Sequence, residues 1–192
     1  MGVAATKVPP QAMRNVISAL LISFTLCGSL VADVDVGNPT EKTPYDRVFG
    51  NMRQVYSHFG TTEPSISEVR AQLRTAHRFR YYFDKSDPYT PQLPEVTEAK
   101  KEGDCKAKSL WLADKMHTRS ARYTIGKAKL DSKLAHAWLM WPNNGTWLLL
   151  DPVCSAEPIE AEKVVGKILV PKFSFVGSRA WRHPTYSTYI PN

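Results

Sequence analysis

Ala135-His136-Ala137-Trp138-Leu139-Met140-Trp141-Pro142-Asn143-Asn144-Gly145-Thr146-Trp147-Leu148-Leu149-Leu150-Asp151 is the stretch that decides how this chain folds. Two apolar runs flank Pro142-Asn143-Asn144-Gly145, a turn sequence in which Asn-Gly suits the centre of a two-residue loop. With Asn144 and Gly145 at that centre, Asn143 faces Thr146, and each outward step pairs the next two residues. Asp151 then falls opposite Trp138, and His136 is its diagonal neighbour on the same face. Diagonal Cβ atoms lie roughly 7–8 Å apart, within reach of a hydrogen bond between imidazole and carboxylate. A three-residue loop would shift the register by one and part the two residues.

Working outward, Tyr123 and Ile125 alternate with Arg122, Thr124 and Lys127, which reads as a strand, and residues 168–176 add another. Upstream the period is helical. Val48, Met52, Val55 and Phe59 recur between Pro44 and Phe59, and Gly60 ends the pattern. Ser65-Ile66-Ser67-Glu68 has the capping-box form and opens a second helix, with Val69, Leu73, Ala76 and Phe83 toward a core. Pro88, Pro91 and Pro94 make residues 84–94 an extended loop. Asp104 can cap a third helix from Cys105, with Ala107, Leu110, Trp111 and Met116 on one side. The aromatic tail after residue 176 carries no assignable pattern. Helices first and an antiparallel sheet afterwards make an α+β domain over residues 44–192.

Residues 1–15 hold Lys7 and Arg14 and no acid, an apolar run fills 16–32, and Asp33 is the first acid. This is the form of a secretory signal cleaved near Ala32, which implies a periplasmic or extracellular protein. The 17-residue run (16 to 32) is also at the lower edge of a membrane span, so an uncleaved anchor is the alternative. Residues 33–43 read as a linker. The chain's 25 Lys+Arg against 18 Asp+Glu permit acidic partners without demanding them, and 43% hydrophobic residues exclude a disordered chain. Three cysteines without a Cys-x-x-Cys pair exclude a disulfide miniprotein and a zinc ribbon, and no Gly-rich phosphate loop is present.

Cys105, His136 and Asp151 carry the chemistry. A thiol at a helix start meets free backbone N–H groups and the positive end of the dipole, which favour a thiolate. An imidazole can hold and return its proton, and a carboxylate can fix the imidazole tautomer. The bland alternative is a satisfied core histidine beside a strand-end aspartate.

Gly103-Asp104-Cys105 at a helix start, His136-Ala137-Trp138 on a strand and Leu150-Asp151-Pro152 after it resemble the transglutaminase-like superfamily. Tyr89-Thr90-Pro91 ahead of Glu102-Gly103-Asp104-Cys105 resembles, within it, the bacterial transglutaminase-like cysteine proteinases. The resemblance covers roughly residues 85–153. It implies the papain-related thiol fold and an exported hydrolase cleaving a peptide or other amide. Cys105 would be the nucleophile, His136 the base and Asp151 the orienting acid. The oxyanion would lie at the Cys105 N–H and a second donor, with Tyr89 and Gln92 as candidates. Those proteinases usually carry calcium-associated acids directly after the cysteine; here Lys106-Ala107-Lys108 follows, so neither a metal nor another cofactor is expected. The rival is a non-catalytic module of the same fold, binding through its groove or its basic helix.

Cys154 reads as a buried free thiol, with a disulfide to Cys105 as the alternative. His58, His77, His117 and His183 lack ligand spacing and read as surface or packing residues. Arg70, Arg74, Arg78 and Arg80 beside Phe79, Tyr81, Tyr82 and Phe83 could suit nucleic acid, but on a helix they read rather as a solvated face. The expected partner is a protein or peptide substrate, with a membrane engaged only through residues 16–32.

Overall fold

The computed structural model describes residues 34–83, 90–129, 132, 134–165 and 167–184; the expected signal and Tyr89 lie outside the described residues. An edge strand β1 (Asn38–Thr40) precedes α1 (Gly50–Ser57) and α2 (Ile66–Arg78). The short β2 (Arg80–Tyr81), α3 (Pro94–Lys100) and β3 (Glu102–Gly103) lead into α4 (Cys105–Met116). Then come β4 (Arg122–Lys127), β5 (Ala135–Asn143), β6 (Thr146–Leu150), β7 (Ile159–Glu160), β8 (Val170–Val176) and β9 (Arg179–Arg182). Seven strands form one sheet in the order β1-β9-β8-β4-β5-β6-β7, with every neighbouring pair antiparallel. The class is α+β, as expected.

The β5–β6 hairpin has the two-residue register: Asn143 pairs with Thr146, and Leu139 with Leu150. Asn144 and Gly145 both have positive φ, 49° and 79°, which is what a type I′ turn needs to match the strand twist. Ala137, Leu139 and Trp141 pack with the helices, whereas Trp138, Met140 and Leu149 pack with Ala161, Val165 and Leu169 in a second cluster. Burial on both faces is why β5 reads as a continuous apolar run.

The capping box of α2 is formed: Ser65 Oγ accepts from the Glu68 N–H, and Glu68 accepts from the Ser65 N–H at 2.7 Å. The helix ends at Arg78, so Phe79 rather than Phe83 turns inward and meets the Trp111 ring edge-on. Phe83 is 45% exposed, which corrects its expected place in the core. The first helix is also shorter than its apolar spacing suggests. Residues 44–48 form turns in which the Asp46 carboxylate accepts from the Thr43 N–H and hydroxyl, and Phe49 and Tyr56 supply core contacts.

Three further elements depart from expectation. The presumed linker contributes β1, which pairs with β9 from the unassigned tail; exposed edge strands have no apolar alternation to betray them. In the proline-rich loop, Pro94 opens α3, where its missing N–H costs nothing, and Thr97 packs inward. Finally, α4 is buried nearly all round, because α1, α2, α3 and the sheet all pack on it.

Gly126 sits across from His136 in the β4–β5 pairing, at a register shift against β8. A Cβ there would lie 2.0 Å from the Val170 carbonyl oxygen and 2.7 Å from the Trp138 ring. Gly126→Ala should therefore destabilise the fold by about 1–3 kcal/mol. Urea unfolding followed by circular dichroism checks this; an unchanged midpoint would mean that β4 and β8 can part freely.

Candidate active site

Asp104 caps α4, its Oδ1 accepting from the Ala107 N–H at 3.0 Å, so the helix begins at Cys105. The thiol is buried, at a turn whose N–H groups lack acceptors within the helix. The second Asp104 oxygen pairs with the Lys106 ammonium. Lys108 donates to the carbonyls of His77 and Phe79, at 3.3 and 3.0 Å, where α2 ends. The Tyr123 hydroxyl donates to the Lys106 carbonyl at 3.0 Å, and Ser109 donates to the Ala137 carbonyl at 3.1 Å. These bonds tie the helix of Cys105 to α2, β4 and β5. Sequence analysis took Lys106 and Lys108 only as a departure from calcium-associated acids and Tyr123 only as a strand residue, and it did not single out Ser109. The usable signal was a helix apolar on every side around two lysines.

His136 opens β5, and its Nε2 lies 2.8 Å from Asp151 Oδ2. Asp151 is 1% exposed, and its Oδ1 accepts from the N–H groups of Val153 and Cys154 at 3.0 and 3.2 Å, which aims Oδ2 at the ring. The Trp138 ring lies 5.8 Å from the imidazole at 30°. With Nε2 engaged by Asp151, Nδ1 is the nitrogen left to face a thiol, and Cys105 lines the same cleft as His136. Burial opposes the imidazolium, but the bonds to Asp151 and the thiols outweigh it and push the pKa up to about 12. Burial also raises Asp151, yet the His136 hydrogen bond and charge hold it below its ordinary value.

Cys105 and His136 edge an apolar cleft of about 390 Å³, walled by Tyr81, Phe83, Ile125 and Leu134. Gln92 donates to the Glu102 carbonyl at 2.9 Å, through one of its two amide hydrogens. Cys154 is a free, exposed thiol, contrary to the buried one expected, because the turn closed onto the Asp151 carbonyl carries it away from β6. Cys105 is also free, so the two do not form a disulfide.

The donor atoms of His136, Asp151 and Cys154 lie within 4.8 Å of one another, but those of His136 and Asp151 already bond each other. Calcium fits poorly at the α4 start, where Asp104 is taken by a helix N–H and an ammonium. His183 is fully buried between the Asp35 carbonyl and Ser174, a packing role. On the basic helix, Arg70 and Arg74 pair with Glu157.

No family model matches the chain, and no curated protein matches it. Among solved structures it is similar to Legionella pneumophila LapG. The EGTA-treated form is 20% identical with a TM-score of 0.54, over 72% of this chain and 75% of that one. The calcium-bound form is 19% identical with a TM-score of 0.54, over 72% and 77%. The transglutaminase-like resemblance of the sequence is thus matched by the fold.

The His136–Asp151 bond links stability to pH. The raised pKa of His136 stabilises fully below its ordinary 6.5, and the gain is lost as pH rises toward 12. The lowered pKa of Asp151 stabilises above its ordinary 3.8, and that gain is lost on acidification. The stability gap between the parent and His136→Gln should be widest from about pH 4 to 6.5 and shrink above it. Denaturant titrations across pH test this, and a gap that stays flat up to pH 10 would contradict it.

Proposed function

We propose that this protein is an exported transglutaminase-like cysteine hydrolase that cleaves a peptide or other amide bond through a thioester acyl-enzyme. One observation carries the reading: a buried imidazole bonded to Asp151 on Nε2 lines the same open apolar cleft as the Cys105 thiol. The Cys105 sulfur attacks the carbonyl carbon while His136 holds the thiol's proton. The imidazolium then gives that proton to the leaving nitrogen; the C–N bond breaks and a thioester remains. Water attacks the thioester as His136 takes a water proton, and the carboxylic product leaves as the C–S bond breaks. Asp151 stabilises the imidazolium in both halves. The oxyanion meets the Cys105 N–H and the remaining amide hydrogen of Gln92. The fold shared with LapG and the motif resemblance support the class, and the composition of residues 1–32 supports export to the periplasm or beyond.

Cys105→Ala and His136→Ala should each abolish turnover of a susceptible peptide while leaving circular dichroism unchanged. Asp151→Asn can present an N–H to the ring and favour the wrong tautomer; in a serine triad the equivalent change costs about 10⁴. A preformed thiolate–imidazolium pair depends less on the acid, so a loss on the order of 10²–10³ is expected here. Near-normal turnover in folded Asp151→Asn would place the orienting group elsewhere.

Because Cys154 is exposed, thiol labelling should be read in a Cys154→Ser background. Fast modification of Cys105 near neutral pH supports the hydrolase, and labelling as slow as a free thiol's supports the non-catalytic module. Calcium and chelators should leave activity and melting temperature unchanged, because Lys106 occupies the one carboxylate at the helix start. Reversible inactivation by EGTA would show otherwise.

A further inference from the structure

A cleft of about 750 Å³ lies at the opposite end of the sheet from Cys105. His136 opens β5 and Pro142 lines this cleft six residues on, so about 20 Å of strand separates the two places. Arg53, Arg119, Arg122 and Arg179 line it. Arg122 lies against two indoles, 4.9 Å from the Trp147 ring centre and 4.2 Å from that of Trp181, and it donates to the Val36 carbonyl. Arg179 approaches the same Trp181 ring at 5.5 Å. Two guanidinium groups therefore share one indole, and among the described residues no carboxylate pairs with either. Among the described residues the Arg119 side chain donates to the Phe59 carbonyl alone, at 2.8 Å. Arg53 pairs with Asp46 yet keeps a buried Nε without an acceptor. Glu63 approaches through Ser120, but its oxygens already accept from Thr118, Ser120 and Trp141.

We propose that this cleft binds an acidic polypeptide segment, its carboxylates held by the forks of Arg119, Arg122 and Arg179. Guanidinium forks match carboxylates two bonds at a time, and cations crowded without counter-charge are relieved by an incoming anion. The volume exceeds what a single small anion fills, so several carboxylates on one chain suit it. Nucleic acid suits it less. Single strands are gripped by stacking bases on open aromatic faces, and here arginines already lie over the indoles. The site stands independently of the thiol chemistry, and its test does not read activity.

The test is fluorescence anisotropy of the full chain with a fluorescein-labelled peptide of alternating Glu and Gly, against its Gln–Gly counterpart. Saturable binding of the Glu peptide is expected, weakening with added salt and at least about tenfold weaker for the Gln peptide. Arg119→Gln with Arg179→Gln changes two exposed side chains and should weaken binding by a further tenfold or more. Arg80→Gln, whose arginine pairs with Glu102, should leave it unchanged. Equal binding of the two peptides, no saturable binding, or an unaffected double variant would overturn the proposal. Tighter binding of oligothymidylate would assign the cleft to nucleic acid instead.

Discussion

Burial of the first turn of α4 constrains everything around the site. Two lysines, an aspartate and a serine are enclosed there with the thiol, and an unpaired ammonium in such surroundings costs several kcal/mol. Each group must therefore find a partner, at the start of its own helix or on a neighbouring element. Lys106 turns back to Asp104, Lys108 reaches the frayed carbonyls of α2, and Ser109 reaches β5. A helix held on three sides in this way cannot slide along the sheet without stranding a charge. The position of Cys105 is a consequence of where its polar neighbours can be satisfied.

The sheet supplies the other half with a similar economy. A two-residue turn leaves one register, that register sets Asp151 diagonal to His136, and two backbone N–H groups aim the carboxylate. Gly126 lets β4 and β8 close behind His136, where any side chain would push the strands apart. Ser109 then joins the two halves, because the carbonyl that it bonds belongs to Ala137, the residue after the histidine. Cys105 and His136 are thus tied to each other through one buried hydroxyl as well as through the chain.

What could be read from the sequence follows from how local each signal is. The hairpin register and the Asp104 cap depend on residues within a few positions of one another, so turn and capping chemistry reveal them, and with them the placement of Cys105, His136 and Asp151. The elements that went unread depend on distant partners. β1 is a short edge strand whose one partner, β9, lies across most of the chain, and β9 itself is only four residues between β1 and β8. α3 hides among prolines and is held by packing on α4. Phe79 and Phe83 are alike as residues, and only the point where α2 stops decides which is buried. Lys106 and Lys108 look like solvent-facing charges, because nothing local says that three helices will close over them.

The distribution of charge separates the two clefts. Beside the thiol, Lys106 pairs with Asp104 and an imidazolium at His136 with Asp151, so two cations meet two carboxylates. Such a site has no excess to attract an anion, and its apolar walls favour an uncharged stretch of chain. At the other end of β5, four arginines meet the single paired carboxylate of Asp46 and an already occupied Glu63. Much of the chain's uncompensated positive charge therefore gathers where there is no nucleophile. An extended chain covers about 20 Å in six residues, so one polypeptide could present a neutral segment to Cys105 and an acidic one to the arginines. The charge pattern thus sets the arginine cleft and the thiol cleft apart as two surfaces, joined by the length of a single strand.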